Sequence, residues 1–288
     1  MMKRLVDGDI FVNRHIFVHL FFCFFFCPTY PHPGHNEKIE TLTHHISTKG
    51  DQAAYYIERA NFYRISGNYH KALKDLEASD NLNSHSPEIQ LTRGRILAEL
   101  GQYRNAITSF DSFLNASPED SRGYEARARV LEKLGMAVEA AHDFQKAIET
   151  GKRTRPNWYI EQARLYALAK GNYSDSAEAV LLEGIKNAGE IVALQEALVS
   201  LYESTSDYEK AIDVSKSILE KPGRKERWHK RRSILFFKMG QFSQAKNELS
   251  AAYRAVEKLP QHKRHNIALL NLKAELDSLR SLFDHSPK

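Results

Sequence analysis

The sequence predicts an all-α protein: a right-handed superhelical solenoid of about six helical hairpins with a capping helix at each end. Two observations lead to this prediction. The motif GNYHKAL at residues 67–73 returns as GQYRNAI at residues 101–107. Its alanine then recurs at intervals of 34, 34, 37, 34 and 34 residues, as Ala72, Ala106, Ala140, Ala177, Ala211 and Ala245. A fixed period of this length indicates a repeat architecture.

A second set of small residues precedes the marker alanines at a nearly constant distance: Ala60, Gly94, Ala128, Ala163, Val199 and Ser233. We interpret each repeat as two amphipathic helices whose small residues face each other, so that the two axes approach closely. The turn between them holds a glycine, which accepts a left-handed backbone without steric cost. The turn glycines are Gly67, Gly101, Gly135, Gly171 and Gly240, and Ser206 replaces glycine in the fifth repeat.

The six repeats are predicted to span about residues 53–258, as 53–86, 87–120, 121–155, 156–191, 192–225 and 226–259. The fourth repeat carries three extra residues, placed in its entry segment and its turn. An N-terminal capping helix is expected over 37–50, and a C-terminal one over 260–284. The C-terminal apolar spacing, at Leu269, Leu272, Leu276, Leu279 and Phe283, also suits a coiled coil, but it extends over only two heptads.

This register resembles the tetratricopeptide repeat. The second repeat matches the family pattern best, at Gly94, Leu97, Gly101, Tyr103, Ala106, Phe110 and Pro118. The resemblance implies a solenoid whose concave groove binds a protein or a peptide. The export-type leader followed by helical repeats is similar, more loosely, to bacterial secreted tetratricopeptide-repeat proteins of unassigned role.

Composition and motifs exclude several classes of activity. The chain has a formal net charge of +5 and only two cysteines, Cys23 and Cys27, so the remaining residues form no disulfide and no thiolate metal site. The basic excess is too small to indicate nucleic-acid binding. Phosphate-binding glycine loops, zinc-protease helices and nucleophile elbows are absent from the sequence. We therefore expect no enzymatic activity and no cofactor.

The N-terminus favours export. Residues 1–29 are interpreted as a signal peptide or membrane anchor, because the apolar run at 16–27 is shorter than a membrane span. A proline-containing linker is expected over 30–36. The protein is accordingly predicted to be exported, periplasmic or secreted, or else anchored to a membrane by residues 10–27.

The predicted groove residues follow the small residue of each first helix: Asn61, Arg95, Arg129 and Arg164. Arginine pairs with carboxylates through two hydrogen bonds, so three successive arginines suit an acidic peptide. The alternative is that each arginine pairs with a glutamate of its own helix and only keeps the surface soluble.

A second candidate is the basic segment KPGRKERWHKRR at 221–232. As a binding patch it would use Arg224, Lys225, Arg227, Lys230, Arg231 and Arg232 to contact phosphate, lipid headgroups or an acidic protein. The alternative is an ordinary solvated loop and helix start.

The function predicted from these features is that of a non-catalytic scaffold with a protein or peptide partner, acidic if the arginines contact it. One alternative is a membrane-tethered assembly factor for an envelope complex. A minor alternative is a metal-binding or enzymatic protein that uses His32, His35, His44 and His45. Against metal binding, adjacent histidines on a helix point to different faces.

Overall fold

The computed structural model describes residues 33–50, 52–82, 85–261 and 266–285. The predicted signal peptide or anchor at 1–29, the start of the predicted linker and His32 lie outside these residues. The chain divides into two compact units, Met1–His85 and Ser86–Lys288.

Every regular element of the described residues is an α-helix, which confirms the predicted all-α solenoid class. Unit 1 contains α1 (Pro33–Lys49), α2 (Ala53–Ile65) and α3 (Tyr69–Asn81). Unit 2 contains α4 (Pro87–Glu99), α5 (Tyr103–Ala116), α6 (Ser121–Lys133), α7 (Ala137–Thr150), α8 (Pro156–Leu168), α9 (Ser174–Ala188), α10 (Val192–Ser204), α11 (Tyr208–Glu220), α12 (Glu226–Lys238), α13 (Phe242–Glu257) and α14 (Ile267–Asp284).

Consecutive helices pair into hairpins, α2 with α3 in unit 1 and α4/α5 through α12/α13 in unit 2. The marker alanines of all six hairpins have no exposed surface, and the facing small residues are buried too. At Gly94 a Cβ atom would lie 2.5 Å from Cε1 of Phe110, so any larger residue would force the Phe110 ring or its neighbours to shift. The predicted close helix approach is confirmed.

Five of the six turns repeat one geometry, and the turn at Gly171, with φ 131°, is the exception. Gly101 has φ 75°, its N–H donates to the carbonyl of Ala98, and the next N–H donates to the carbonyl of Leu97. This pair of bonds is the Schellman motif, which satisfies carbonyls at the end of the first helix. Ser206 keeps the left-handed backbone, at φ 64°, where the fifth repeat lacks glycine.

The fourth repeat differs where its three extra residues were predicted. Its turn covers 169–173, five residues instead of the three at 100–102. The connection before it covers 151–155, one residue longer than 117–120. The helices therefore keep their length and the connecting segments take up the insertion.

Both capping helices bury apolar residues, although Leu279 of the predicted C-terminal set is only partly buried. In α1, Leu42 is buried and the helix packs against α2. In α14, Leu269, Leu272, Leu276 and Phe283 are buried against α13. The bounds differ from the prediction: α1 begins at Pro33, inside the predicted linker, because proline is compatible with the first helical turn, and α14 begins at Ile267.

Candidate functional site

The first helices of the hairpins in unit 2, α4, α6, α8, α10 and α12, form one surface, which we name the first-helix face. Side chains connect its successive members. Arg122 of α6 binds Glu88 of α4, and Arg164 of α8 binds Glu132 of α6 at 2.8 Å. Helix α8 contacts α10 directly, and Arg231 of α12 donates to Ser200 of α10 at 2.8 Å. The face is therefore continuous across unit 2.

Three of the four predicted groove residues belong to the helices of this face. Arg129 binds Glu125 of its own helix at 2.9 Å, and Arg164 binds Glu161 as well as Glu132. Burial acts to lower the pKa of Arg164, but these glutamates outweigh it and hold the pKa above its usual value.

Arg95, of α4, is half-buried, and its charge helps to lower the pKa of Asp120, an effect due mainly to the hydrogen bond from Arg122. The fourth predicted residue, Asn61, lies in unit 1. Its side-chain N–H donates to the carbonyl of Ile57 at 3.1 Å. The structure thus places Arg95 with Arg129 and Arg164 in one unit, and Asn61 in the other.

An apolar cavity of about 360 Å³ opens between α8 and α10. Its floor is Leu181 of α9, and Arg164 and Ser200 stand at its rim. The remaining lining is mostly small and aliphatic: Ile160, Ala163, Ala167, Ala197, Leu201 and Ser204. These side chains leave room for an apolar group and offer it few hydrogen-bonding partners.

A second cavity, of about 430 Å³, lies between α10, α12 and α14. We name it the cationic cavity, because α12 lines it with Arg227, Lys230, Arg231 and Lys238. Two carboxylates also line it, Glu203 of α10 and Glu275 of α14. Apolar contacts come from Ile234, Leu235, Ala268 and Leu272.

The six cations of the predicted basic patch occupy different environments. Arg232 packs against α13, where it binds Glu248 at 2.8 Å, and Arg224 pairs with the buried Glu226. Arg227, Lys230 and Arg231 instead line the cationic cavity, and Lys225 at the start of α12 is half-buried. The division follows from the helix, since neighbouring residues point in directions about 100° apart.

In the sequence, the basic segment and the groove residues were two separate candidate binding sites. The structure joins them, because Arg231 belongs to the basic segment and contacts Ser200, which follows Val199 at the groove position of the fifth repeat. The spacing of Arg227, Lys230, Ile234 and Lys238 was a readable signal of one helical face. The contribution of α14 had no such signal.

A larger cavity of about 760 Å³ lies at the connections 117–120 and 151–155 and the adjoining ends of α6, α7 and α8. Two of its basic side chains already have partners within the protein. Arg122 binds Asp120 and Glu88, and Arg155 stacks on Trp158 with 4.8 Å from its Cζ to the ring centroid. Lys152 and Arg153 are exposed at this edge.

Two of the four histidines of the metal alternative, His35 and His45, lie beside aromatic rings. His35 lies 6.0 Å from Phe62 and His45 lies 5.4 Å from Tyr55, measured between ring centroids. Within the residues that the structure describes, no three histidine, cysteine or carboxylate side chains cluster in a way that could hold a metal ion. None of the helices in the same ranges is both long and apolar enough to cross a membrane.

Comparison with known proteins shows which of them the repeat resembles. The family model described as "Tetratricopeptide repeat" matches residues 91–156. A curated human protein, "Zinc finger CCCH domain-containing protein 7B", is 30% identical over 95 residues, which is 33% of this chain and 10% of that protein. The chain thus spans about a tenth of the length of that relative.

Solved structures share the fold. The C-terminal part of a tetratricopeptide repeat-containing protein from Cytophaga hutchinsonii superposes with a TM-score of 0.62 at 17% identity, over 83% of this chain and 94% of that one. The MamA protein superposes with a TM-score of 0.51 at 17% identity, over 61% and 94%. With the buried small residues and the repeated turn, these similarities show that residues 91–156 match the tetratricopeptide repeat and that the chain has the fold of a tetratricopeptide-repeat solenoid.

Proposed function

We propose that this protein is a non-catalytic interaction scaffold that binds an extended protein segment on the first-helix face of unit 2. The observation that carries the proposal is the pair of neighbouring cavities on this face, one apolar and one cationic. Helix α10 separates them, with Ser200 in the first and Glu203 in the second. Stacked helical repeats use such extended surfaces for binding partners.

Site-specific crosslinking tests the proposal. A photoreactive amino acid replaces Ser204, which lines the apolar cavity, in the full chain expressed in its own host. The matched control replaces Lys216, an exposed residue on the second helix α11. We expect one partner segment to crosslink at Ser204 and not at Lys216. Crosslinking at Lys216 alone would move the binding surface to the second helices.

We also propose that the protein acts outside the cytoplasm, supported by the apolar run at 16–27. Mass spectrometry of the protein from the crosslinking preparation tests this proposal, because it identifies the first residue of the mature chain. A chain that starts near Tyr30 fits export. An intact N-terminus in the membrane fraction fits the membrane-tethered alternative instead.

A further inference from the structure

The cationic cavity has more positive charge than its own carboxylates balance. Arg231 binds Glu203 with 2.7 Å between Nε and Oε1, and Lys230 pairs with Glu275. Within the described ranges, Arg227 and Lys238 have no carboxylate partner; Lys238 lies 5.2 Å from the centre of the Tyr208 ring. Two cations at the cavity therefore remain available to a ligand.

The apolar cavity favours a different kind of ligand group from the cationic cavity. Its one charged lining residue, Arg164, is already neutralised by Glu161 and Glu132. Leu181 at the floor and Leu201 in the lining are both buried, and the small side chains of Ala167 and Ala197 leave space beside them. Removing an aliphatic side chain from water into such a space is favourable, whereas burying a carboxylate there is not.

The distance between the two cavities determines how far apart two anchoring side chains of a bound segment must be. The apolar cavity lies between α8 and α10, and the cationic cavity lies beyond α10. Neighbouring packed helices are about 8–10 Å apart, and an extended chain rises about 3.3 Å per residue. A segment that crosses α10 therefore needs about three residues to pass from one cavity to the other.

We infer that the partner segment is acidic and extended, and that an apolar side chain about three residues from a glutamate or aspartate anchors it. The apolar side chain fills the cavity between α8 and α10. The carboxylate meets Arg227 and Lys238 in the cationic cavity. This inference rests on the proposed function and names the chemistry of its ligand.

Short labelled peptides with blocked ends test the chemistry by fluorescence anisotropy. The reference peptide places one glutamate three residues from a single leucine in a neutral polar background, and it is made in both orders, with the glutamate before or after the leucine. Three others replace glutamate by glutamine, replace leucine by serine, or place glutamate next to leucine. We expect the reference in one order to bind about tenfold more tightly than each of the three.

Matched variants locate the contacts. Arg227→Gln with Lys238→Gln should bind the glutamate and glutamine peptides equally. Lys152→Gln with Arg153→Gln removes the same charge from the loop edge and should leave the tenfold preference intact. Ala167→Phe fills the apolar cavity from an exposed position and should abolish the preference for leucine over serine.

The possible results test the acidic-anchor inference separately from the proposed scaffold function. Equal binding of all four peptides, or no binding up to about 1 mM, overturns the acidic-anchor inference. If crosslinking at Ser204 still captures a partner, the scaffold function survives with a different ligand chemistry. Peptides that bind with the expected preference, but equally to every variant, would contradict the placement on the first-helix face.

Discussion

Gly94 shows how a single residue sets the distance between two helices. It lies on α4 against the ring of Phe110, whose exposed fraction is 1%. The ring is buried in a cluster with Leu91, Ala106 and Phe113, so an added methyl group has to displace packed atoms. The recurrence of small residues here is therefore a packing requirement of the hairpin.

We expect Gly94→Ala to lower the free energy of unfolding by about 1 kcal/mol. Alanine improves helix propensity by about 0.8–1 kcal/mol, but overpacking a closed site costs about 1–3 kcal/mol. Urea unfolding followed by circular dichroism measures the change. Gly34→Ala is the control, since nothing lies within 4 Å of a Cβ at that position, and it should cause no loss.

A double-mutant cycle identifies the contact. Adding Phe110→Leu to Gly94→Ala should cost less than the sum of the two single changes, because the smaller side chain relieves the overlap. Strict additivity would show that the Phe110 ring is not what limits residue 94.

At the scale of the helices, partly buried ion pairs connect the two members of a hairpin. Arg127 of α6 binds both oxygens of Asp143 of α7, at 2.8 and 2.7 Å, and also binds Asp111 of α5. The hydrogen bonds to Asp143 raise the pKa of Arg127 above its usual value. Pairs with the same 16-residue separation occur between Arg59 and Asp75, and between Arg232 and Glu248.

Arg127→Met should cost about 3 kcal/mol of unfolding free energy, because it leaves the Asp143 carboxylate, 5% exposed, without its cation. Arg129→Met is the matched control on the same helix. Its side chain is 57% exposed and, among the residues that the structure describes, forms an ion pair only with Glu125, so we expect a change within about 0.5 kcal/mol. Equal losses in thermal or urea unfolding would contradict a structural role specific to Arg127.

The same helices show how far the sequence could predict the structure. The 34-residue period identified the hairpins, because small residues and turns recur wherever two helices must approach. It did not reveal the Arg127 pairs, since the contact spans two helices and the helix-neighbour rule covers only three or four residues. The cationic cavity was missed for a similar reason: Glu275 lies on a cap outside the period, 45 residues from Lys230.

At the scale of unit 2, packing is local along the chain. Each hairpin packs against its neighbours, and α14 packs on α13 and α12 at the end. In such arrays stability is approximately the sum of repeat and neighbour terms, so damage at one end need not spread. The cationic cavity lies at that end and depends on α14 for part of its lining.

Leu276→Asp should therefore unfold the end of unit 2 before the rest. Leu276 has no exposed surface and packs in the cluster that joins α13 to α14, so a buried aspartate there carries an uncompensated charge. We expect hydrogen exchange to accelerate in α12, α13 and α14 while α4 to α7 keep their protection. Leu270→Asp, on the same helix at 50% exposure, should change neither region. Faster exchange throughout unit 2 would show instead that its hairpins unfold as one cooperative body, and that the cationic cavity shares the stability of the whole unit.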